Sequence, residues 1–225
     1  MDGTLLDAGG ATAESFDAAV AAVIGRHPGP HQVAMSGKTD PSIALEIMGF
    51  AGLDTDEARG WLPVVLERLE AELVAAAPAL QARGRVLPGV EAVLARGHGE
   101  ASVTQSVLTG NIEANAGIKV RAFGLDRWLD LGVGAYGSDR SDREELVPVA
   151  VERARRLRGL IVAPGDVWVV GDTPRDFACA RAAGARCLLV GTGRFSVDEL
   201  RRTGAERVMT DLSAVDDVWG LLLLG

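Results

Sequence analysis

Three short stretches of this chain place carboxylates, hydroxyls and glycines where phosphate chemistry needs them. Asp2-Gly3-Thr4 stands at the head of the sequence. Gly3 permits a tight turn, and a carboxylate held there projects over the carboxyl edge of a sheet, where α/β ligands bind. Val107-Leu108-Thr109-Gly110-Asn111 is an apolar run ending in a hydroxyl, a glycine and an amide. The Thr109 hydroxyl and the backbone N–H groups after it, at Gly110 and Asn111, can bind a phosphate oxygen at a helix N-terminus. In Val169-Val170-Gly171-Asp172-Thr173-Pro174-Arg175-Asp176 a strand ends and two carboxylates follow, four residues apart. Asp172 on the loop and Asp176 in the first helical turn can converge on one hard cation, which prefers carboxylate oxygens and water.

Each stretch also has a plainer reading. Asp-Gly is a common turn dipeptide, and Thr109 or Asn111 can simply start the next helix. Thr173 as N-cap, Pro174 at the first helical position and Asp176 three residues after the cap make a sound helix start unaided. That leaves Asp172 unexplained. A phosphate beside carboxylates also needs a cation. Arg143, in the polar stretch 138–146 ahead of a helix, is the first candidate, and Lys119, on the helix after Asn111, is the second. Either can equally be a solvated surface charge. In the loop 35–41, Lys38 and Thr39 can face a substrate, or else Thr39 or Asp40 simply caps the helix after Pro41.

The elements that position these residues fall into two zones. Residues 11–85 carry apolar side chains at helical spacing, as in Phe16, Val20, Val23 and Ile24 or Leu62, Val65, Leu66, Leu69 and Leu73. After Pro88-Gly89, short apolar runs predict strands at 103–108, 133–136, 167–170, 187–190 and 207–209. Helices are predicted between them at 90–96, 112–123, 146–157, 174–183 and 197–202. Strands spaced by helices imply an α/β, Rossmann-like parallel sheet with helices on both faces. The expected layout is a core of residues 1–10 and 86–225, with residues 11–85 inserted as a helical cap.

Composition narrows the function classes. At 225 residues and 48% hydrophobic, the chain can bury a sizeable core. A formal charge of −8 argues against a nucleic-acid partner, which needs a basic face. Cys179 and Cys187 lie too far apart for a chelating pair, and the three histidines have no metal spacing. No basic-then-apolar leader opens the sequence, and the run 221–224 is far too short to cross a bilayer. The expectation is a cytoplasmic protein with a small-molecule partner and no membrane partner, its oligomeric state left open.

The heptad from Met1 to Asp7 resembles the first motif of the haloacid dehalogenase-like phosphohydrolases, Asp-x-Asp-Gly-Thr-Leu-x-Asp. Thr109-Gly110-Asn111 is similar to the second motif, and Gly171-Asp172 through Asp176 to the fourth. Arg143 holds the third motif's place, where the family more often has Lys followed by Pro. The helical insertion after the first motif matches the family's helical-cap class, which includes phosphoglycolate phosphatases. The resemblance implies a Mg²⁺-dependent phosphomonoester hydrolase working through an aspartyl-phosphate on a small phosphorylated metabolite. Asp2 would be the general acid/base, and its carbonyl would join Asp172 and Asp176 as metal ligands. Thr109 and Arg143 would stabilise the transition state, while Thr109, Gly110, Asn111 and Lys38 bind substrate. The attacking Asp would sit one residue ahead of Met1, at the end of a central strand absent from these 225 residues. The chain as written is therefore expected to be inactive. A phosphate- or metal-binding pseudoenzyme and a phosphomutase are the alternatives.

Overall fold

The computed structural model describes residues 1–224. The chain leaves for a helical excursion through Leu6–Asp7 (β1) and returns through Arg85–Val86 (β2). These two segments pair antiparallel, Leu6 opposite Val86 and Asp7 opposite Arg85. A 2.9 Å ion pair between Arg85 and Asp7 closes the same point, so exit and return lie side by side. The excursion consists of Ala11–Ile24 (α1), Asp40–Phe50 (α2) and Thr55–Arg83 (α3). Helix α2 starts where the Thr39 hydroxyl accepts from the Ser42 N–H and Pro41 takes a first-turn position, and α3 starts on an Asp54–Glu57 capping box. Ile43 and Ile47 on α2, and Val65, Leu69 and Leu73 on α3, recur every four residues and put one face of each helix inward. With Phe16, Ala19 and Val20 they form a hydrophobic core belonging to these three helices, joined by Ile118 from outside. Each such large side chain taken from water contributes on the order of 1.5–3 kcal/mol before the entropy of ordering is set against it.

The remaining chain is α/β. Its helices are Val90–His98 (α4), Glu113–Ala122 (α5), Leu146–Arg158 (α6), Pro174–Ala182 (α7), Val197–Arg201 (α8) and Val215–Leu224 (α9). Trp168–Gly171 (β3), Arg186–Val190 (β4) and Val208–Met209 (β5) form a parallel sheet in the order β3-β4-β5. Val169 lies opposite Cys187, and Leu189 opposite Val208. A second hydrophobic core, which includes Leu6, Val90, Val107, Val120, Tyr136, Leu188, Val190 and Trp219, lies under these elements. Among the described residues no helix is long and apolar enough to cross a membrane.

Two predicted strands, 103–108 and 133–136, do not form as such. They meet only at Leu108 and Ala135, as one parallel bridge. The Thr109 N–H donates to the Ala135 carbonyl and the Ala135 N–H to the Val107 carbonyl, each at 3.0 Å. A ladder needs successive paired residues, and here other groups compete for the backbone. The Gln105 amide donates to the Leu94 and Trp128 carbonyls, and the Ser106 hydroxyl donates to the Asp130 carbonyl. Leu131–Val133 coils into a 3₁₀ turn. The chain still delivers Thr109 to the edge of the core, and the loop beyond Tyr136 is fixed by Arg153, which grips Asp139 through two 2.7 Å contacts.

Candidate active site

A cleft of about 510 Å³ opens between α1, the loop ahead of α2, the Asp2 turn, Thr109–Asn111, the start of α7 and Thr192–Arg194. Asp2, Lys38, Thr109, Gly110, Asn111, Lys119, Arg143, Asp172 and Asp176 all line it. The structure therefore brings the candidates singled out in the sequence to one place, apart from Thr39, which lines the neighbouring cavity.

Asp172 follows the end of β3 and is 4% exposed. The Thr4 hydroxyl donates to its Oδ1 at 2.7 Å. Its Oδ2 has no hydrogen-bond donor among the described residues. That oxygen lies against two glycines: a Cβ built on Gly3 would stand 2.3 Å from it, and one on Gly193 1.9 Å. Gly3 also has φ +79°, which L side chains rarely adopt. Glycine is thus required twice around one carboxylate. Burial pushes the Asp172 pKa up, against the opposing pull of the Met1 amino group, and the neighbouring Asp176 adds to the rise. The Thr192 hydroxyl donates to the Gly3 carbonyl at 2.6 Å, tying the Asp2 turn to the loop after β4.

Asp176 is engaged by the protein at both oxygens. Its Oδ2 accepts from the Thr173 N–H, the Thr173 hydroxyl and the Asp172 N–H at 3.0, 2.7 and 3.2 Å, and its Oδ1 is held by Arg143. The capping box that starts α7 is fully formed. Burial works against ionisation of Asp176, and the Arg143 guanidinium outweighs it, so the pKa is lowered. Through these bonds Asp176 shapes the loop that carries Asp172. No group of three His, Cys, Asp or Glu side chains close enough to hold a metal occurs among the described residues.

Lys119 is the cation at the Asp2 turn. It is fully buried, and its ammonium donates to Asp2 Oδ2 at 2.9 Å, Asp2 Oδ1 at 3.1 Å and Asn111 Oδ1 at 3.1 Å. Burial around Asp2 opposes its charge, but Lys119 prevails and the Asp2 pKa is lowered. Arg143 lines the same cleft, with one arm on Asp176 and a buried Nε that has no partner among the described residues. Sequence alone put Arg143 first and did not show the Lys119–Asp2 contact, which joins residues 117 apart.

The Thr109 hydroxyl accepts from the Asn111 N–H at 3.2 Å, leaving its own proton for another acceptor. No hydrogen bond among the described residues engages the Gly110 N–H. Lys38 reaches toward the cleft but is paired to Glu46 at 2.5 Å. A smaller cavity of about 290 Å³ lies beyond it, lined by Ser42, Glu46, Ser141, Arg143 and Arg175 among others. Thr39 caps α2, as the plainer reading of that loop had it. Asp40 was missed as more than a cap. It is 1% exposed and accepts from Asn111 Nδ2 at 2.8 Å, the Ile112 N–H at 2.9 Å and Asn115 Nδ2 at 2.9 Å. Thr4, Thr192, Gly193 and Arg194 were also missed. The last three had a signal: Gly191-Thr192-Gly193 follows an apolar strand just as the other motifs do.

Comparison with known proteins agrees with this geometry. A haloacid dehalogenase-like hydrolase family profile matches residues 1–181. A second, HAD-hydrolase-like profile matches residues 146–217. No curated protein matches the chain. Among solved structures, a predicted phosphatase from Clostridium acetobutylicum is 19% identical over 100% of this chain and 96% of its own, with a TM-score of 0.67. A predicted phosphoglycolate phosphatase from Haemophilus somnus is 18% identical over 97% and 95%, with a TM-score of 0.65. Protein tyrosine kinase A of Mycobacterium tuberculosis is 23% identical over 98% and 95%, with a TM-score of 0.62. Identities this low speak for the fold, and the family rests on the profile that spans most of the sequence together with the cleft that its motifs line: the chain belongs to the haloacid dehalogenase-like hydrolases.

Proposed function

We propose that this protein supplies the acid/base, phosphate-binding and metal-binding parts of a phosphomonoester hydrolase acting on a small phosphorylated metabolite. The observation that carries the reading is the meeting in one cleft of three things: the Lys119–Asp2 pair, the Thr109-Gly110 donors, and Asp172 with one oxygen open. Residues 11–85 act as a cap whose Phe16, Met35 and Ile43 line the far side of the cleft. A volume of about 510 Å³ falls in the range of small-molecule pockets. Two free thiols, Cys179 and Cys187, support a reducing, cytoplasmic setting.

The donor set at Asp172 fits Mg²⁺. A hard divalent ion takes carboxylate oxygens, and Asp172 offers a buried carboxylate whose Oδ2 no donor among the described residues engages. Asp172 and the Asp2 carbonyl would hold the ion, which when bound offsets negative charge shared by phosphate and carboxylates. The Thr109 hydroxyl and Gly110 N–H bind phosphate oxygens and meet charge developing on them. Arg143 faces the same space and adds positive charge. Asp2, held as a carboxylate by Lys119, takes a proton from the attacking water, and protonates the leaving oxygen only after it has itself taken up a proton.

The test uses protein carrying a strand that ends in Asp ahead of Met1, beside the 225-residue chain. With Mg²⁺, the longer protein should release phosphate from p-nitrophenyl phosphate or a panel of small phosphorylated metabolites, and Asp172→Asn should abolish that release. Mg²⁺-dependent turnover by the 225 residues alone would overturn the assignment of the attacking group. Isomerisation of a sugar phosphate in place of phosphate release would identify a mutase. A folded longer protein without turnover would favour a non-catalytic phosphate binder.

A further inference from the structure

We propose that Asp40, a cap residue, positions Lys119 on Asp2 through the Asn111 side chain. The inference rests on the reading of Asp2 as the proton-transfer group. The three contacts form an unbroken line across the cap–core boundary. Asn111 Nδ2 donates to Asp40 Oδ1 at 2.8 Å, Lys119 Nζ donates to Asn111 Oδ1 at 3.1 Å, and Lys119 Nζ donates to Asp2 at 2.9 and 3.1 Å.

The chemistry of each member fixes the next. A carboxylate only accepts and an ammonium only donates, so both neighbours of Asn111 demand the same amide orientation, Nδ2 toward Asp40 and Oδ1 toward Lys119. With Asp40 gone, nothing in that line holds the amide against rotation, and the acceptor that Lys119 uses can turn away. The Lys119 ammonium has three protons, and the two Asp2 oxygens and Asn111 Oδ1 take all of them. Losing Asn111 Oδ1 frees the ammonium to swing about Asp2.

The Asp40 carboxylate is itself well anchored. Oδ2 holds the Ile112 N–H and Asn115 Nδ2, both at the start of α5, the helix that carries Lys119. The backbone adds a further link: the Asp40 N–H donates to the Gly110 carbonyl at 2.7 Å. The cap loop is seated so closely that a Cβ on Gly110 would stand 2.0 Å from the Lys38 carbonyl. The relay thus exists only while the cap loop sits on the core. Withdrawal of the loop would remove Asp40 from Asn111 and release the Lys119–Asp2 geometry.

Lys38 and Lys119 are the sole lysines of the sequence, which allows a direct readout. Protein labelled with ¹³C-lysine should give two ε-methylene signals, assigned with Lys38→Arg. In the unchanged protein the two Lys119 ε-protons should differ in chemical shift, because the ammonium is held in one place. Asp40→Asn should merge them into one averaged shift, and so should Asn111→Ala. In the Asn111→Ala background, Asp40→Asn should produce no further change. Asn115→Ala removes one cap–core bond outside the line and should leave the two Lys119 shifts distinct. Retention of distinct shifts in Asp40→Asn overturns the relay. Merging in Asn115→Ala, or an added effect of Asp40→Asn on Asn111→Ala, means that Asp40 only holds the cap down, and also overturns it. If circular dichroism shows Asp40→Asn unfolded, Asp40→Ser, which keeps one acceptor, takes its place in the same cycle. The measurement reads Lys119 without turnover, so its failure is distinct from a failure of phosphate release.

Discussion

Arg143 and Asp176 are 12% and 4% exposed at their side chains and hold each other beside the cleft. Taken from water, such a pair gains little over an apolar one, but breaking it strands a buried charge. Arg143→Met should therefore destabilise the fold by about 3 kcal/mol at pH 7. The sign of its pH dependence follows from Asp176. Its native pKa is depressed below the ordinary 3.8, so the pair stabilises fully above that value and loses its effect as pH falls through the native pKa. Urea denaturation at pH 7 and at progressively lower pH should show the gap between the two proteins closing on the acid side. A gap that stays constant would mean that Arg143 acts through packing. The thiols make a second case at this scale. Burial pushes the Cys179 pKa up to about 11 and that of Cys187 to about 12, and the thiolate is the reactive form. At pH 8 the folded protein should react with Ellman's reagent far more slowly than the urea-unfolded protein, which should show both thiols promptly. Fast labelling of the native form would disprove the burial argument.

Helix α7 shows how one element serves both fold and site. Its start, Thr173-Pro174-Arg175-Asp176, satisfies the orphan N–H groups of its first turn and in the same stroke places Asp172. Thr173→Ala removes the cap and the hydroxyl bond to Asp176, and should cost about 1–2 kcal/mol in denaturant unfolding. The segment before α5 is constrained from the other side. Gly110→Ala sets a Cβ against the Lys38 and Thr39 backbone, which cannot rotate away as a side chain can. A loss of roughly 1–3 kcal/mol, or displacement of the cap loop, is expected, and hydrogen exchange at the Asp40 N–H separates the two. The start of α7 was legible in the sequence because capping is a local affair, settled within four residues. Strands β3, β4 and β5 were legible because apolar runs bounded by glycine or polar turns have few other fates. The runs at 103–108 and 133–136 looked the same but lacked successive partners, and pairing is decided elsewhere in the chain. Asp40 was legible only as a helix start, since the groups that use its carboxylate come 71–75 residues later. Lys119 was placed second to Arg143 for the same reason.

At the scale of the molecule, two hydrophobic cores meet along a boundary whose visible bonds at the cleft are polar, with Ile118 of α5 as an apolar stitch. The cleft floor gathers Asp2, Asp172 and Asp176 against Lys119 and Arg143. Lys119 and Arg143 are each matched with one carboxylate, and among the described residues no Lys or Arg side chain pairs with Asp172. A ligand that binds the native state alone stabilises it by RT ln(1 + [L]/Kd), about 1.4 kcal/mol at ten times Kd. For a chain of this length that corresponds to a rise in melting temperature of about 3–6 °C. Mg²⁺ in the millimolar range should produce such a rise, and Asp172→Asn should remove it. Asp2→Asn should keep most of it, because the backbone carbonyl assigned to the ion survives that change. Protons compete for the same oxygen: burial raises the Asp172 pKa above 3.8, so the Mg²⁺ effect should shrink as pH is lowered toward that raised value. An equal melting shift with Mg²⁺ in Asp172→Asn would place the ion elsewhere. A shift that does not weaken in acid would mean that a group other than this carboxylate holds it.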